Sequence, residues 1–292
     1  MAAATRYLLA TALVAVAGCG GGGGGGSSVA VSAFGVTAIA TPAATAPAPA
    51  NSAAAPPAAA PPPPSFKVTE VAAGLDTPWA LAFLPDGRML ITQRGGQLRL
   101  RNADGSAVNG GADQVAGVPA VAAVGQGGLL DVAVDPAFAS NRRIYLSFAE
   151  RDGADPKLNG TAVARGELDA TTRTLANLTV IYRQSPKVDS TAHFGSRLAF
   201  DRNGYLFVTM GERELDSQRG YAQDLSRGNG KVVRITTDGA PAPGNPFAAT
   251  AGAQPHIWSY GHRNPQGAAL HPATGDLWTS EHGPQGGDEV NL

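Results

Sequence analysis

Leu198-Ala199-Phe200-Asp201-Arg202-Asn203-Gly204-Tyr205-Leu206-Phe207-Val208-Thr209 is two short apolar runs joined by a polar turn. Aromatic and β-branched residues fit a pleated strand, and Asn-Gly supplies the backbone freedom of a tight hairpin. The stretch reads as strand, turn, strand, and it returns along the chain. Leu81-Ala82-Phe83-Leu84 leads through Pro85-Asp86-Gly87 into Met89-Leu90-Ile91-Thr92. Val132-Ala133-Val134 leads through Asp135-Pro136 into Arg143-Ile144-Tyr145-Leu146-Ser147-Phe148. Ala268-Ala269-Leu270 leads through His271-Pro272-Ala273-Thr274-Gly275 into Asp276-Leu277-Trp278-Thr279. Short antiparallel strands recurring at roughly 50 to 70 residues point to propeller blades. Almost no stretch carries a helical period. The expected fold is all-β, a β-propeller with about four blades. Propellers commonly close their ring by pairing first and last strands, and no closing element is visible here. A fragment of a larger propeller is the expectation.

Composition divides the rest of the 292-residue chain. Arg6 precedes an apolar run from Tyr7 to Ala17 that ends in Val16-Ala17-Gly18-Cys19, the layout of an export signal. The run is too short to span a bilayer. Its ending resembles the bacterial lipobox, whose cysteine is lipidated after cleavage; an ordinary signal with a stray thiol is the alternative. Residues 1–19 are thus expected to be a lipoprotein signal with Cys19 as the lipidation site. Residues 20–64, rich in Gly, Ala and Pro, cannot bury apolar surface and are expected to be a disordered tether. Residues 65–292 are the folded domain, long enough for a sizeable core. The expected location is the bacterial periplasm, the protein being exported and held to the outer membrane by its lipid alone. A single cysteine excludes an intrachain disulfide. A net charge of -1 with 15% charged residues offers no footprint for nucleic acid.

Four polar clusters adjoin the strands. Gly125-Gln126-Gly127-Gly128 lets the backbone approach a ligand closely, although a plain strand-entry turn has the same composition. His193 opens the third hairpin and Glu212 closes it, so both fall at one end of the sheet. A histidine there can serve as a general base and a carboxylate can orient it. The competing readings are a structural histidine and a surface pair between Glu212 and Arg213. Arg263-Asn264 offers a fork for carboxylates or polarised carbonyls, or else an inter-blade salt bridge. His282-Gly283-Pro284 with Asp288-Glu289 combines backbone carbonyls and carboxylates that suit calcium, though Gly-Pro also makes ordinary turns.

Taken in order, these motifs form a resemblance. Gly-Gln-Gly-Gly-Leu-Leu-Asp-Val-Ala at 125–133, His-Phe-Gly-Ser-Arg-Leu at 193–198, Ala-Gln-Asp-Leu at 222–225 and Gly-Lys-Val-Val-Arg-Ile at 230–235 are followed by Asn-Pro-Phe at 245–247. Trp-Ser-Tyr-Gly-His-Arg-Asn-Pro-Gln-Gly at 258–267 and Glu-His-Gly-Pro-Gln-Gly-Gly-Asp-Glu at 281–289 complete the series. Together they resemble the soluble, PQQ-dependent glucose/sorbosone dehydrogenase family over essentially the whole folded part.

The resemblance implies a six-bladed propeller holding pyrroloquinoline quinone (PQQ) and Ca2+ at one end of its channel. It implies oxidation of the anomeric carbon of aldose sugars by hydride transfer to PQQ, with an external electron acceptor. His193 matches the general base, Glu212 its acidic partner, and Gln126 a substrate-contacting glutamine. Arg263 and Asn264 match residues that hold the quinone, the arginine also stabilising charge on its oxygens. Gly283 and Pro284 match carbonyl ligands of the calcium that polarises it. Two departures stand out: Glu212 replaces the family's more usual Asp, and Ala192 stands where glucose-specific members carry an acid. The second favours the broader aldose branch. Later cationic residues of the family have no counterpart, so activity of this length of chain is in doubt. The alternative is a non-catalytic, membrane-tethered propeller that binds a ligand without quinone. A carboxylate-lined calcium hydrolase such as a lactonase is disfavoured by the carbonyl-type Gly283-Pro284 pair.

Overall fold

The computed structural model describes residues 66–292. Cys19 and the 20–64 segment lie outside the described residues.

Among the described residues, fifteen strands form four antiparallel meanders. The first sheet contains β1 (Pro78–Phe83), β2 (Met89–Gln93), β3 (Gln97–Arg101) and β4 (Gln114–Val115). The second contains β5 (Leu129–Val134), β6 (Arg143–Arg151), β7 (Asn159–Asp169) and β8 (Thr174–Arg183). The third contains β9 (Leu198–Phe200), β10 (Leu206–Met210), β11 (Lys231–Ile235) and β12 (Ile257–Tyr260). The fourth has three strands, β13 (Pro265–Leu270), β14 (Leu277–Glu281) and β15 (Glu289–Asn291). The first strands of successive sheets adjoin one another, β1 with β5, β5 with β9 and β9 with β13. That is the radial order of propeller blades, as the hairpin repeat led one to expect. Each repeat is the inner pair of strands of one blade.

Blade stacking explains why the second strands of the first and third sheets lack polar alternation. Every residue of β2 (Met-Leu-Ile-Thr-Gln) and of β10 (Leu-Phe-Val-Thr-Met) is buried, whereas β14 of the fourth sheet still alternates between buried and exposed residues. Leu90, Leu98, Leu129, Val132, Leu146 and Phe148 fill the space between the first two blades. Tyr145, Val163, Leu198, Val208, Met210 and Val233 fill the next. Each such side chain contributes about 1.5–3 kcal/mol on leaving water. The turn between β5 and β6 is longer than the expected tight turn and carries a short helix, Phe138–Asn141. A 3-10 helix at Asp216–Gln223 also interrupts the all-strand pattern.

A polar tie repeats between blades. The hydroxyl of Thr92 on β2 donates to the Leu130 carbonyl on β5 at 2.5 Å. Ser147 on β6 donates to the Ser196 carbonyl ahead of β9 at 2.6 Å, and Thr209 on β10 to the Pro265 carbonyl on β13 at 2.7 Å. Each second strand therefore sets the height of the next blade's first strand. The loops that precede the first strands are thereby brought to one common rim.

Candidate active site

His193 lies in the loop entering β9, and Glu212 follows β10, so antiparallel pairing returns the second to the first. The imidazole Nδ1 and Glu212 Oε2 are 2.7 Å apart, and the two side chains are 5% and 4% exposed, which shuts water out of that bond. With Nδ1–H donated to the carboxylate, Nε2 keeps a free lone pair. Glu214 at the rim is the acidic group nearest that nitrogen, at 3.9 Å. His193 itself adopts φ 48°, in the left-handed region. Its backbone N–H donates to Gln126 Oε1 at 2.9 Å, so the glutamine fixes the loop that carries the histidine. Gly211 leaves room for this arrangement: a Cβ there would sit 2.1 Å from the His193 carbonyl oxygen.

Arg263 is fastened from three sides. Its carbonyl accepts the Glu212 N–H at 2.9 Å, its N–H donates to Glu281 Oε2 at 2.6 Å, and Nη1 donates to the His282 carbonyl at 3.0 Å. Asn264 Oδ1 accepts the Gly195 N–H at 3.1 Å, tying the loop before β13 to the loop before β9. Glu281 also pairs with His262 Nδ1 at 3.0 Å. Burial alone would raise the Glu281 carboxyl, but the His262 hydrogen bond and charge and the Arg263 and Asn264 amides outweigh it and hold the group below its ordinary value.

His193, Gln126, Arg263 and Asn264 line one cleft of about 420 Å³ together with Trp79, Arg94, Gln266 and His282. Neither Arg263 nor Arg94 pairs with a carboxylate among the described residues; Arg94 donates to the carbonyls of Gly125 and Gly127 instead. Two guanidinium groups without acidic partners beside an oriented imidazole make a seat for an anionic ligand next to a base. An adjoining cleft of about 240 Å³ is lined by Glu212, His262, Arg263 and Pro284, among others.

Residues 75–292 match the family model described as Glucose / Sorbosone dehydrogenase. The chain belongs to that family. It is 50% identical over 219 residues to the aldose sugar dehydrogenase YliI of Escherichia coli K12, a match covering 75% of this chain and 57% of that protein. The crystal structure of the soluble aldose sugar dehydrogenase of Escherichia coli in its apo form superposes with a TM-score of 0.68 at 49% identity, covering 74% of this chain and 60% of that one. The PQQ-bound aldose sugar dehydrogenase of Streptomyces coelicolor superposes with a TM-score of 0.65 at 33% identity, covering 77% and 62%. The chain spans about half the length of the curated relatives it matches.

Within this family member the expected site residues divide in two. His193, Gln126, Arg263 and Asn264 share one cleft, and Glu212 joins them through its bond to His193. Pro284 lines the adjoining cleft rather than the main one, and Gly283 lines neither. The Gly283 N–H donates to Asp288 Oδ1 at 2.7 Å, so Asp288 closes the turn. The surface pair between Glu212 and Arg213 is not formed: Arg213 is fully buried and its guanidinium points to carbonyls. The salt bridge considered for Arg263 is replaced by its bond to the His282 carbonyl. Arg94 is not singled out by the sequence, and Glu281 only as the first residue of the 281–289 motif, with no role of its own. Arg94 follows β2 directly, Glu281 ends β14 and Glu212 lies two residues beyond β10, so a polar residue near the end of each second strand is the signal that would have found them.

Proposed function

We propose that this chain carries the reacting half of a PQQ-dependent aldose dehydrogenase. The observation that supports it best is the His193–Glu212 pair opening on a cleft in which Arg94 and Arg263 have no acidic partners among the described residues. His193 Nε2 takes the proton from the anomeric hydroxyl of the sugar while Glu212 holds Nδ1 and stabilises the imidazolium. As the proton leaves, the O–H electron pair becomes the carbonyl of the product, and the hydrogen on the anomeric carbon departs with its electrons. PQQ, when bound, supplies the two-electron acceptor for that hydrogen. Gln126 meets the substrate at the mouth of the cleft. Arg263 and Arg94 would hold the quinone's carboxylates by charge, with Asn264 lining the same cleft.

Calcium is the finer part of this reading. Among the described residues no group of three or more His, Cys, Asp or Glu side chains is gathered for a metal. A cation would be held by the Gly283 and Pro284 carbonyls, which accept no hydrogen bond from the described backbone. A Cβ on Gly283 would lie 2.3 Å from the Gly286 carbonyl oxygen, so only glycine fits this turn. Export and lipid anchoring at Cys19, an external electron acceptor, and absence of nucleic-acid binding complete the proposal.

The test is PQQ binding, followed by the shift in the quinone's absorbance with Ca2+ present, and then dye reduction on adding aldoses. Saturable binding weakened by Arg263→Ala, with sugar-dependent dye reduction abolished by His193→Ala, is the expected result. Binding unchanged when Arg263 and Arg94 are both replaced by Ala would place the quinone elsewhere and refute the reading.

A further inference from the structure

Arg213 is among the largest fully buried side chains, at 0% exposure, yet among the described residues no carboxylate accepts from it. Its guanidinium is spent on the loop that bears His193. Nε donates to the Ala192 carbonyl at 2.9 Å and Nη2 to the Ser190 carbonyl at 2.8 Å. Nη1 and Nη2 reach the carbonyl and Oδ1 of Asn159 on β7 at 3.2 and 2.7 Å. The guanidinium carbon lies 3.7 Å from the centre of the Phe194 ring, and Ser190 Oγ returns a bond to the Arg213 carbonyl at 2.6 Å. The residues before and after His193 are thus both gripped by one side chain, the first by a hydrogen bond and the second through its ring.

Such a grip has work to do. His193 holds a left-handed φ of 48°, and Arg213 and Glu214 hold 79° and 67°. Non-glycine residues there are strained and persist only where their surroundings over-determine them. A buried guanidinium is itself costly. Burial pushes Arg213 down to about 9 although the neighbouring Glu212 charge pulls it back up. A side chain serving only to fill space would be cheaper as an apolar one.

We propose that Arg213 is a positioning residue that holds the His193 backbone in its left-handed conformation and so keeps Nδ1 on Glu212. This deepens the reading of His193 as the base and rests on it. It concerns the histidine's geometry, which exists with or without quinone and sugar, so the two ideas fail separately.

The experiment is NMR of the 292-residue chain with labelled histidines, following the exchange of the Nδ1 proton with water. His262, whose Nδ1 is bonded to Glu281 in the next blade, serves as the internal standard for general loosening. Arg213→Lys cannot reproduce the planar fork, and Asn159→Ala removes one of its anchors while leaving the His193 loop untouched. In both variants the His193 proton is expected to exchange about tenfold faster or more, the effect of losing one charged hydrogen bond, with His262 unchanged. Wild-type exchange at His193 in the folded variants, or equal acceleration at both histidines, would overturn the proposal. Should Arg213→Lys fail to fold, Asn159→Ala decides alone by the same criterion.

Discussion

At the scale of single residues, the site is governed by closeness of backbone rather than by charge count. Gly211 touches the His193 carbonyl, so Gly211→Ala must push the loop outward. A misplacement of about 1 Å costs on the order of 10²-fold in rate. Gly211→Ala is therefore expected to lower kcat of the PQQ-loaded protein by about that factor, with circular dichroism unchanged; unaltered kcat would show that the loop tolerates the shift. The sequence exposed His193, Glu212, Gln126 and Arg263 because they sit in dense motifs beside strand ends. It concealed Arg213, since nothing in Gly-Glu-Arg says that the arginine turns inward. A buried guanidinium satisfied by carbonyls leaves no complementary acid for a reader to find.

At the scale of elements, the same devices recur from blade to blade. His193–Glu212 and His262–Glu281 are both separated by 19 residues and occupy matching places in the third and fourth blades. The first imidazole opens on the main cleft, whereas the second has its Nε2 closed by Ser259 Oγ at 2.7 Å. The inter-blade hydroxyl tie is testable at Thr209, which is fully buried. Thr209→Val keeps the shape, strands both the Pro265 carbonyl and the Arg197 N–H that donates to the hydroxyl at 2.9 Å, and is expected to cost about 1–3 kcal/mol in urea unfolding. A variant as stable as wild type would show that the tie contributes nothing.

Lys231 on β11 is likewise buried, its ammonium donating to the carbonyls of Tyr221, Ala222 and Asn229 at 2.7 to 2.9 Å. Burial pushes it from 10.5 down to about 8, partly offset by Asp224. Above the lower value the folded chain sheds a proton that the unfolded chain keeps until the upper one. Stability contributed by this group therefore rises with pH through that window, by at most about 1.4 kcal/mol per pH unit. Lys231→Met should lack that rise when urea midpoints are compared from pH 8 to 10.5; an identical slope in both proteins would contradict the assignment. Inner hairpins were readable because Asp-Gly and Asn-Gly turns mark them. Outer strands such as β8, whose burial follows no alternation, carry no comparable mark.

At the scale of the whole molecule, four blades place their first strands around a common axis and raise their entry loops to one rim. That arrangement was legible from the repeat of four hairpins, while the exact cleft lining was not, because Trp79 and Arg94 come from the first blade and His282 from the fourth. Contacts between segments this far apart leave no local trace in sequence. Among the described residues no helix is long and apolar enough to cross a membrane. If the chain is anchored as proposed, through a lipid on Cys19, Cys19→Ser is expected to move the protein from the membrane fraction to the soluble one. Retention of that variant at the membrane would refute a lipid anchor.

The most direct measurement is a crystal structure of the chain grown with PQQ and Ca2+. Quinone density within hydrogen-bond reach of the Arg263 guanidinium and facing His193 Nε2, with Glu212 still on Nδ1, is the expected result. Quinone bound away from the cleft shared by His193, Arg94 and Arg263 would contradict the account.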